Sequence, residues 1–236
     1  MPIQAVFFDA AGTLIRPVRR VGESYARIAA KYGKEIAPSA ISERFRLCFE
    51  SAPPLAFPGA SPAEIDRLER NWWKNLVLQI LEPWGSMERF DDYFSELFAY
   101  FAQPEAWALY PEVPETLASL KRRGLTLGVI SNFDSRLLRI LDGLGGGHWF
   151  EHVVISSRVG YAKPAREIFA AALGRHGIDA KSAVHVGDSE EKDLQGSVNA
   201  GLKGILVDRE RECCGATFLR VTTLEEILDV LDDNLE

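Results

Sequence analysis

The chain has 236 residues, 47% of them apolar and 26% charged, with a formal net charge of −7. That length and apolar share suit one large domain, or a core carrying one smaller insert, and exclude an intrinsically disordered chain. The negative balance argues against a generic nucleic-acid binder, whose footprint would be basic, and leaves room for a local basic pocket that takes an anionic small molecule.

The N-terminal stretch MPIQAVFFDAAGTL has no basic region ahead of its apolar run, which argues against a secretory signal. Ala5-Val6-Phe7-Phe8 is a compact apolar run ending at Asp9. A run without polar alternation suits a strand buried on both faces, as in a parallel sheet. Residues 17–103 break that rhythm and follow one another as helices. Tyr25, Ile28, Ala29 and Tyr32 share a face, as do Ile41, Phe45, Cys48 and Phe49. A proline-rich loop over residues 52–62 leads to Ser61-Pro62 with Glu64, a helix start ahead of Ile65, Leu68, Trp72, Leu76 and Ile80. Phe90, Tyr93, Phe94, Leu97, Phe98 and Phe101 form a further stripe; core packing of a small bundle accounts for it better than a substrate pocket does, and the same holds for Trp72-Trp73.

Strands and helices then alternate. A helix over 114–123 closes at Gly124, and strand 125–130 (LTLGVI) ends at Ser131-Asn132. Strand 152–155 precedes a helix over 166–176 that closes at Gly177, and strands 183–186 and 204–207 follow. The tail opens with a capping box, Thr223 with Glu226, and aligns Leu224, Ile227, Leu228 and Leu231. The fold class is α/β: an open parallel sheet formed by residues 1–16 and 104–236, with a helical cap over 17–103 inserted between the first two strands. No apolar run approaches the roughly 18 residues of a membrane span. Three cysteines, with Cys213 and Cys214 adjacent, are too few for a disulfide framework and lack zinc spacing, so free thiols in a cytoplasmic setting are expected.

Reactive residues stand directly after these apolar runs. In an open parallel sheet the strand C-termini share one edge, where ligands bind. Asp9, Ser131-Asn132 and Asp188 would therefore meet there, and Lys163, in Gly160-Tyr161-Ala162-Lys163-Pro164, could reach the same edge. Asp9 and Asp188 are hard oxygen ligands suited to Mg²⁺, and Asp193 could hold a metal-bound water. Lys163 and Mg²⁺ would neutralise a phosphoryl group while Ser131 donates a hydrogen bond, and Asp9 could attack phosphorus to give an aspartyl-phosphate.

Each residue also has a plainer role. Thr13 could cap a turn, Ser131 a helix beginning near Asp134, and Asp193 could be an ordinary helix-start acid. Lys163 could be a solvated surface lysine, and Asn132 offers mainly its backbone to a ligand. Arg16, Arg19 and Arg20 suit a solvated linker better than an anion site, and Glu190 and Glu191 a solvated turn. His148, His152, His176 and His185 show no paired metal spacing, and His185 is expected to be a hydrogen-bonded core residue. Gly145-Gly146-Gly147 lacks the Gly-Lys-Ser/Thr of a phosphate loop and suits a flexible turn.

FFDAAGTL, VISN, YAKP and GDSEEKD resemble, in that order, the four motifs of the haloacid dehalogenase superfamily of hydrolases, and the insert lies where subclass I members carry a cap. The resemblance implies a Rossmann-like core, Mg²⁺, a nucleophile at Asp9 and metal-site acids at Asp188 and Asp193. It also implies phosphate contacts from Thr13, Ser131 and Lys163. The stretch DAAGTLIRPVRRVGESYARIAAKYG further looks like a branch of haloacid dehalogenase-like domain proteins. One position departs: phosphatases of this family place a second Asp, the general acid and base, where this chain has Ala11. The Ala11 carbonyl can still bind Mg²⁺, but losing a positioned acid typically costs about 10²–10⁴ in rate. The expected substrate is a small phosphorylated metabolite with a good leaving group, such as an acyl phosphate. Alternatives are a phospho-ligand-binding or regulatory protein, a 2-haloacid dehalogenase, or a phosphonatase-like enzyme using a cap lysine (Lys31, Lys34 or Lys74). No nucleic-acid or membrane partner is expected, and the protein would be a monomer or homodimer.

Overall fold

The computed structural model describes residues 2–209 and 219–233; Cys213 and Cys214 lie outside them. Six strands form one sheet in the order β5-β4-β1-β6-β7-β8. They are β1 (Ala5–Phe8), β4 (Thr126–Ser131), β5 (His152–Ile155), β6 (Ala183–Gly187), β7 (Lys203–Val207) and β8 (Arg220–Val221). Every neighbouring pair is parallel.

β1 lies inside the sheet, and all four of its residues are fully buried. Its alternation sends Val6 and Phe8 to the layer of α5 (Val113–Arg122), α6 (Arg136–Gly143) and α10 (Ile227–Asp233). Ala5 and Phe7 go to the opposite layer, with α8 (Arg166–His176). Fully burying a side chain such as Phe8 contributes about 1.5–3 kcal/mol. Gly128 pairs in register with Phe7, and a Cβ there would stand 2.8 Å from the Phe7 ring. Glycine at this point lets the ring lie across β4.

The insert after β1 holds the helices α1 (Val21–Ala30), α2 (Pro38–Ser51), α3 (Pro62–Leu81) and α4 (Phe90–Tyr100), with α5 following before β4. Of the apolar stripes expected from the sequence, Tyr25, Ile28, Ile41, Leu76, Ile80, Tyr93, Phe94 and Leu97 turn inward to make a second core, while Phe49 is exposed and stacks on Phe45. The Glu64 carboxylate accepts from Ser61 N (3.0 Å) and Ser61 Oγ (2.7 Å), the expected start of α3. Trp73 does more than pack: its Nε1 donates to Asp134 of the sheet layer at 2.6 Å. No helix among the described residues is long and apolar enough to cross a membrane.

Two features depart from the sequence reading. Where the chain enters and leaves the helices, β2 (Ile15–Pro17) and β3 (Trp107–Leu109) pair antiparallel. At the tail, Glu226 accepts from Thr222 N (3.1 Å) and Thr222 Oγ1 (2.6 Å) instead of pairing with Thr223. The opening turn, Leu224–Glu226, is a tight 3₁₀ turn, which brings the carboxylate over the residue before the expected cap.

Candidate active site

Phe8, the last residue of β1, is in register with Val129 and Val186, so β4 and β6 run only two residues and one residue past it and all three finish at one edge. The residues that follow therefore emerge side by side. Asp9, immediately after β1, is anchored by its backbone N–H on Val186 O at 2.8 Å and is 7% exposed. Lys163 is brought in from the loop between α7 (Ser156–Val159) and α8, and is 4% exposed. Its ammonium donates to Asp9 Oδ1 (2.6 Å), Asp193 Oδ1 (2.5 Å) and Ile130 O (2.8 Å). Three acceptors match the three donors of the group, so the cation is fixed between two acids from opposite ends of the chain. A solvated surface role for Lys163 is thereby excluded.

Asn132 supplies the support. Its Oδ1 accepts from Lys163 N (2.7 Å) and its Nδ2 donates to Lys163 O (2.9 Å), so the side chain clasps the lysine's backbone. With the side chain held this way, the Asn132 main chain faces the least competition for a ligand. Ser131 ends β4 at 2% exposure, and ahead of α6 it is Asp134, not Ser131, whose Oδ1 accepts from Arg136 N at 3.0 Å.

Asp193 is also buried; its Oδ1 accepts from His185 Nε2 (2.9 Å) as well as Lys163, and its Oδ2 from Ser189 N (3.0 Å). His185 is thus the hydrogen-bonded core residue expected. Gly187 makes room for Asp193, since a Cβ there would lie 2.2 Å from the Asp193 carboxyl carbon. Gly12, at φ +97°, does the same for Asp188, whose Oδ2 would be 2.1 Å from an added Cβ. Glu190 and Glu191 are exposed, as are Arg16, Arg19 and Arg20. Thr13 is fully buried, and its Oγ1 has no hydrogen-bond partner, a poised donor in the loop after Asp9.

Electrostatics follow from crowding acids out of water. Burial raises the Asp9 carboxyl, with Asp193 adding to the rise and Lys163 opposing it. Asp188 stands exposed at the edge of the group, yet desolvation, then Asp9 and Asp193, push it up to about 7. Burial would also raise Asp193, yet Lys163 and His185 outweigh it and hold it well below the usual carboxylate range. Burial pulls the Lys163 ammonium down, but Asp193 and Asp9 hold it above its ordinary value. One oxygen from each of Asp9, Asp188 and Asp193 falls within 4.8 Å of the others. Such a hard-oxygen set with two acids held high fits a divalent cation, whose charge would relieve the repulsion. Asp193, already engaged by Lys163, His185 and Ser189, is better suited to act through water.

Sequence reasoning missed Arg209. Its Nε and Nη2 donate to Gly12 O (3.2 Å) and Thr13 O (2.8 Å), while Nη1 pairs with Glu112 at 2.7 Å. This guanidinium, stacked 3.5 Å over the Tyr110 ring, holds the Asp9 loop. Of the lysines considered for a Schiff base, Lys31 pairs with Glu96, Lys74 with Asp91, and Lys34 donates to Trp84 O.

A family model described as haloacid dehalogenase-like hydrolase matches residues 3–201. The chain is 35% identical over 213 residues to haloacid dehalogenase-like hydrolase domain-containing protein 3 of Danio rerio, covering 89% of this chain and 87% of that one. It is 39% identical over 112 residues to a phosphoserine phosphatase of Thermus thermophilus, covering 47% of this chain and 45% of that enzyme. Among solved structures, L-2-haloacid dehalogenase from Xanthobacter autotrophicus superposes with a TM-score of 0.75 at 16% identity, covering 98% of this chain and 99% of that one; at that identity the likeness shows the fold alone.

Proposed function

The chain belongs to the haloacid dehalogenase-like hydrolases, and from that membership we propose that it hydrolyses a small phosphorylated metabolite, with Mg²⁺, through an aspartyl-phosphate on Asp9. The observation that carries this reading is the Lys163 ammonium fixed between Asp9 and Asp193, with Asp188 beside them. Asp9, Asp188 and the Ala11 carbonyl would hold the cation, with Asp193 reaching it through water; bound there, it would neutralise charge on the phosphoryl oxygens.

The chain's own residues do the rest. A carboxylate oxygen of Asp9 bonds to phosphorus as the bond from phosphorus to the leaving-group oxygen breaks. Lys163 holds Asp9 in place and offsets the developing negative charge, while Ser131, Thr13 and the Asn132 main chain donate to the phosphoryl oxygens. Water then attacks phosphorus as the bond from phosphorus to the Asp9 oxygen breaks; both of its protons leave with the released dihydrogen phosphate, and the Asp9 carboxylate is restored. Ala11 has no proton to give, so the leaving group must depart as a stable anion, which favours acyl phosphates and phosphoanhydrides over alkyl esters. The phosphatase relative lends this reading support.

A phospho-ligand binder is the second reading, favoured by Ala11 itself. Assays of acetyl phosphate and p-nitrophenyl phosphate with Mg²⁺, using Asp9→Asn as control, decide between them. Turnover above the control and abolished by chelation is expected of the enzyme; binding without turnover identifies the binder. Metal-independent halide release from a 2-haloacid would overturn both.

A further inference from the structure

We propose that Glu69 is a positioning residue: from helix α3 its buried carboxylate ties together the two segments of the sheet layer that lead from Ser131 and into Lys163, the turn at Ser135 and helix α7, so that docking of the helical insert sets the geometry of the phosphate site. The proposal rests on the reading of that site given above.

Glu69 lies on a helix whose sequence suggests a solvated polar side, yet it is 3% exposed. Its Oε1 accepts three hydrogen bonds, from Ser135 N (3.0 Å), Ser135 Oγ (2.9 Å) and Ser157 Oγ (2.6 Å). Ser135 stands four residues beyond Ser131, and Ser157 six residues before Lys163. One oxygen of the insert therefore bridges the turn ahead of α6 and helix α7, which leads into the Lys163 loop. The same segments meet again closer to the chemistry, where Asn132 clasps the Lys163 backbone.

No lysine or arginine pairs with Glu69 among the described residues. A buried carboxylate is costly unless its hydrogen bonds are made, so its compensation comes from donors on those two segments. Burial pushes the carboxyl above its usual value, with Ser157 and Ser135 pulling it back. A leucine would fill the space without that cost. What a carboxylate adds is a fixed distance between two segments.

Other contacts seat the insert around this point. Trp73 Nε1 donates to Asp134 Oδ2, which Arg136 also holds at 2.6 Å. Ser156 Oγ donates to Leu55 O at 2.6 Å. Pro58 lies so close to the following loop that a Cβ on Gly160 would come within 3.1 Å of its Cα. The helical insert thus touches both segments; Glu69 bridges them from the insert, and Ser156 Oγ, which also donates to Phe133 O at 3.3 Å, joins them directly.

Hydrogen exchange on the full-length protein, with variants Glu69→Ala, Glu69→Gln and Ser157→Ala, tests this. In Glu69→Ala, exchange should rise at least about tenfold in both segments 132–136 and 156–163, while amides of β1 and β6 keep wild-type rates. Glu69→Gln retains an acceptor oxygen and should recover most of the protection; Ser157→Ala should give a smaller rise in both segments. If Glu69→Ala does not fold, the other two variants decide. Because only the fraction of molecules with aligned loops binds, KM for p-nitrophenyl phosphate and Kd for inorganic phosphate with Mg²⁺ should each rise about tenfold in Glu69→Ala, with kcat within about twofold. Wild-type exchange in either segment, or a rise shared equally by β1 and β6, overturns the proposal. A wild-type protein that neither binds phosphate nor turns over p-nitrophenyl phosphate removes the phosphatase reading, while the exchange pattern still decides the tie through Glu69.

Discussion

Lys163→Met is the perturbation that bears most directly on the site. The methionine fills similar volume but leaves Asp9 and Asp193 facing one another in a buried space, and Ile130 O loses its donor. Removing one partner of a buried ion pair costs about 3–5 kcal/mol, because the remaining charge stays out of water. For a chain of this size each kcal/mol moves Tm by about 2–4 °C, so a fall of roughly 6–20 °C is expected by scanning calorimetry in EDTA at pH 7. The gap should depend on pH. In the wild type Asp193 is held low, so its stabilisation is present above the unfolded carboxylate value and is lost as pH falls. Without Lys163, burial raises Asp9 and Asp193 together with Asp188, which already stands at about 7. The native state then carries more protons than the unfolded chain between about pH 4 and 7, and stability falls as pH rises. The difference between the two proteins should widen from acid to neutral pH, and added Mg²⁺ should recover part of it. A variant within about 1 kcal/mol of wild type in EDTA at pH 7, or a gap that narrows toward neutrality, would refute the reasoning.

Installing the missing acid, Ala11→Asp, should speed turnover of a simple alkyl phosphate by about 10²–10⁴ and that of acetyl phosphate far less; an unchanged alkyl rate removes Ala11 as the reason for leaving-group dependence. Gly12→Ala forces a Cβ against Asp188 at a positive φ, so calorimetric Mg²⁺ affinity should drop about 10–100-fold, and wild-type affinity would mean Asp188 is not a ligand. Because Asp188 stands at about 7, Mg²⁺ must displace a proton below that pH. Its affinity should rise about tenfold per pH unit up to near neutrality and then level, and a flat profile counts against that carboxylate. Asn132→Ala deletes both hydrogen bonds to the Lys163 backbone and should cost about 1–3 kcal/mol in urea unfolding.

The sheet was legible because its strands are buried on both faces: runs such as Ala5-Val6-Phe7-Phe8 have no polar alternation to disguise them. Asp9 and Asp188 were legible because they stand where strands end, whereas Lys163 was read from the loop beyond strand 152–155 and Asp193 from the metal chemistry of the acids. What escaped depends on contacts across the chain. β2 and β3 are three residues each, too short to show a period. Arg209 reaches Gly12 and Thr13 from about 200 positions away, and nothing near it marks it as part of their loop. Glu69 looks like any polar residue on an amphipathic helix until the two serines that satisfy it are seen.

The antiparallel ribbon has a consequence for how such a chain can diversify. Arg16 sits opposite Ala108, so the polypeptide departs for its four helices and comes back only one strand spacing away. The helices are a detour whose endpoints already touch, the geometry that tolerates excision and insertion. A two-residue hairpin turn could close the ribbon without moving β1 or β4. The segment between can then be traded as a cassette while β1 and β4 keep their places, provided the new segment brings its own tie to Ser135 and Ser157.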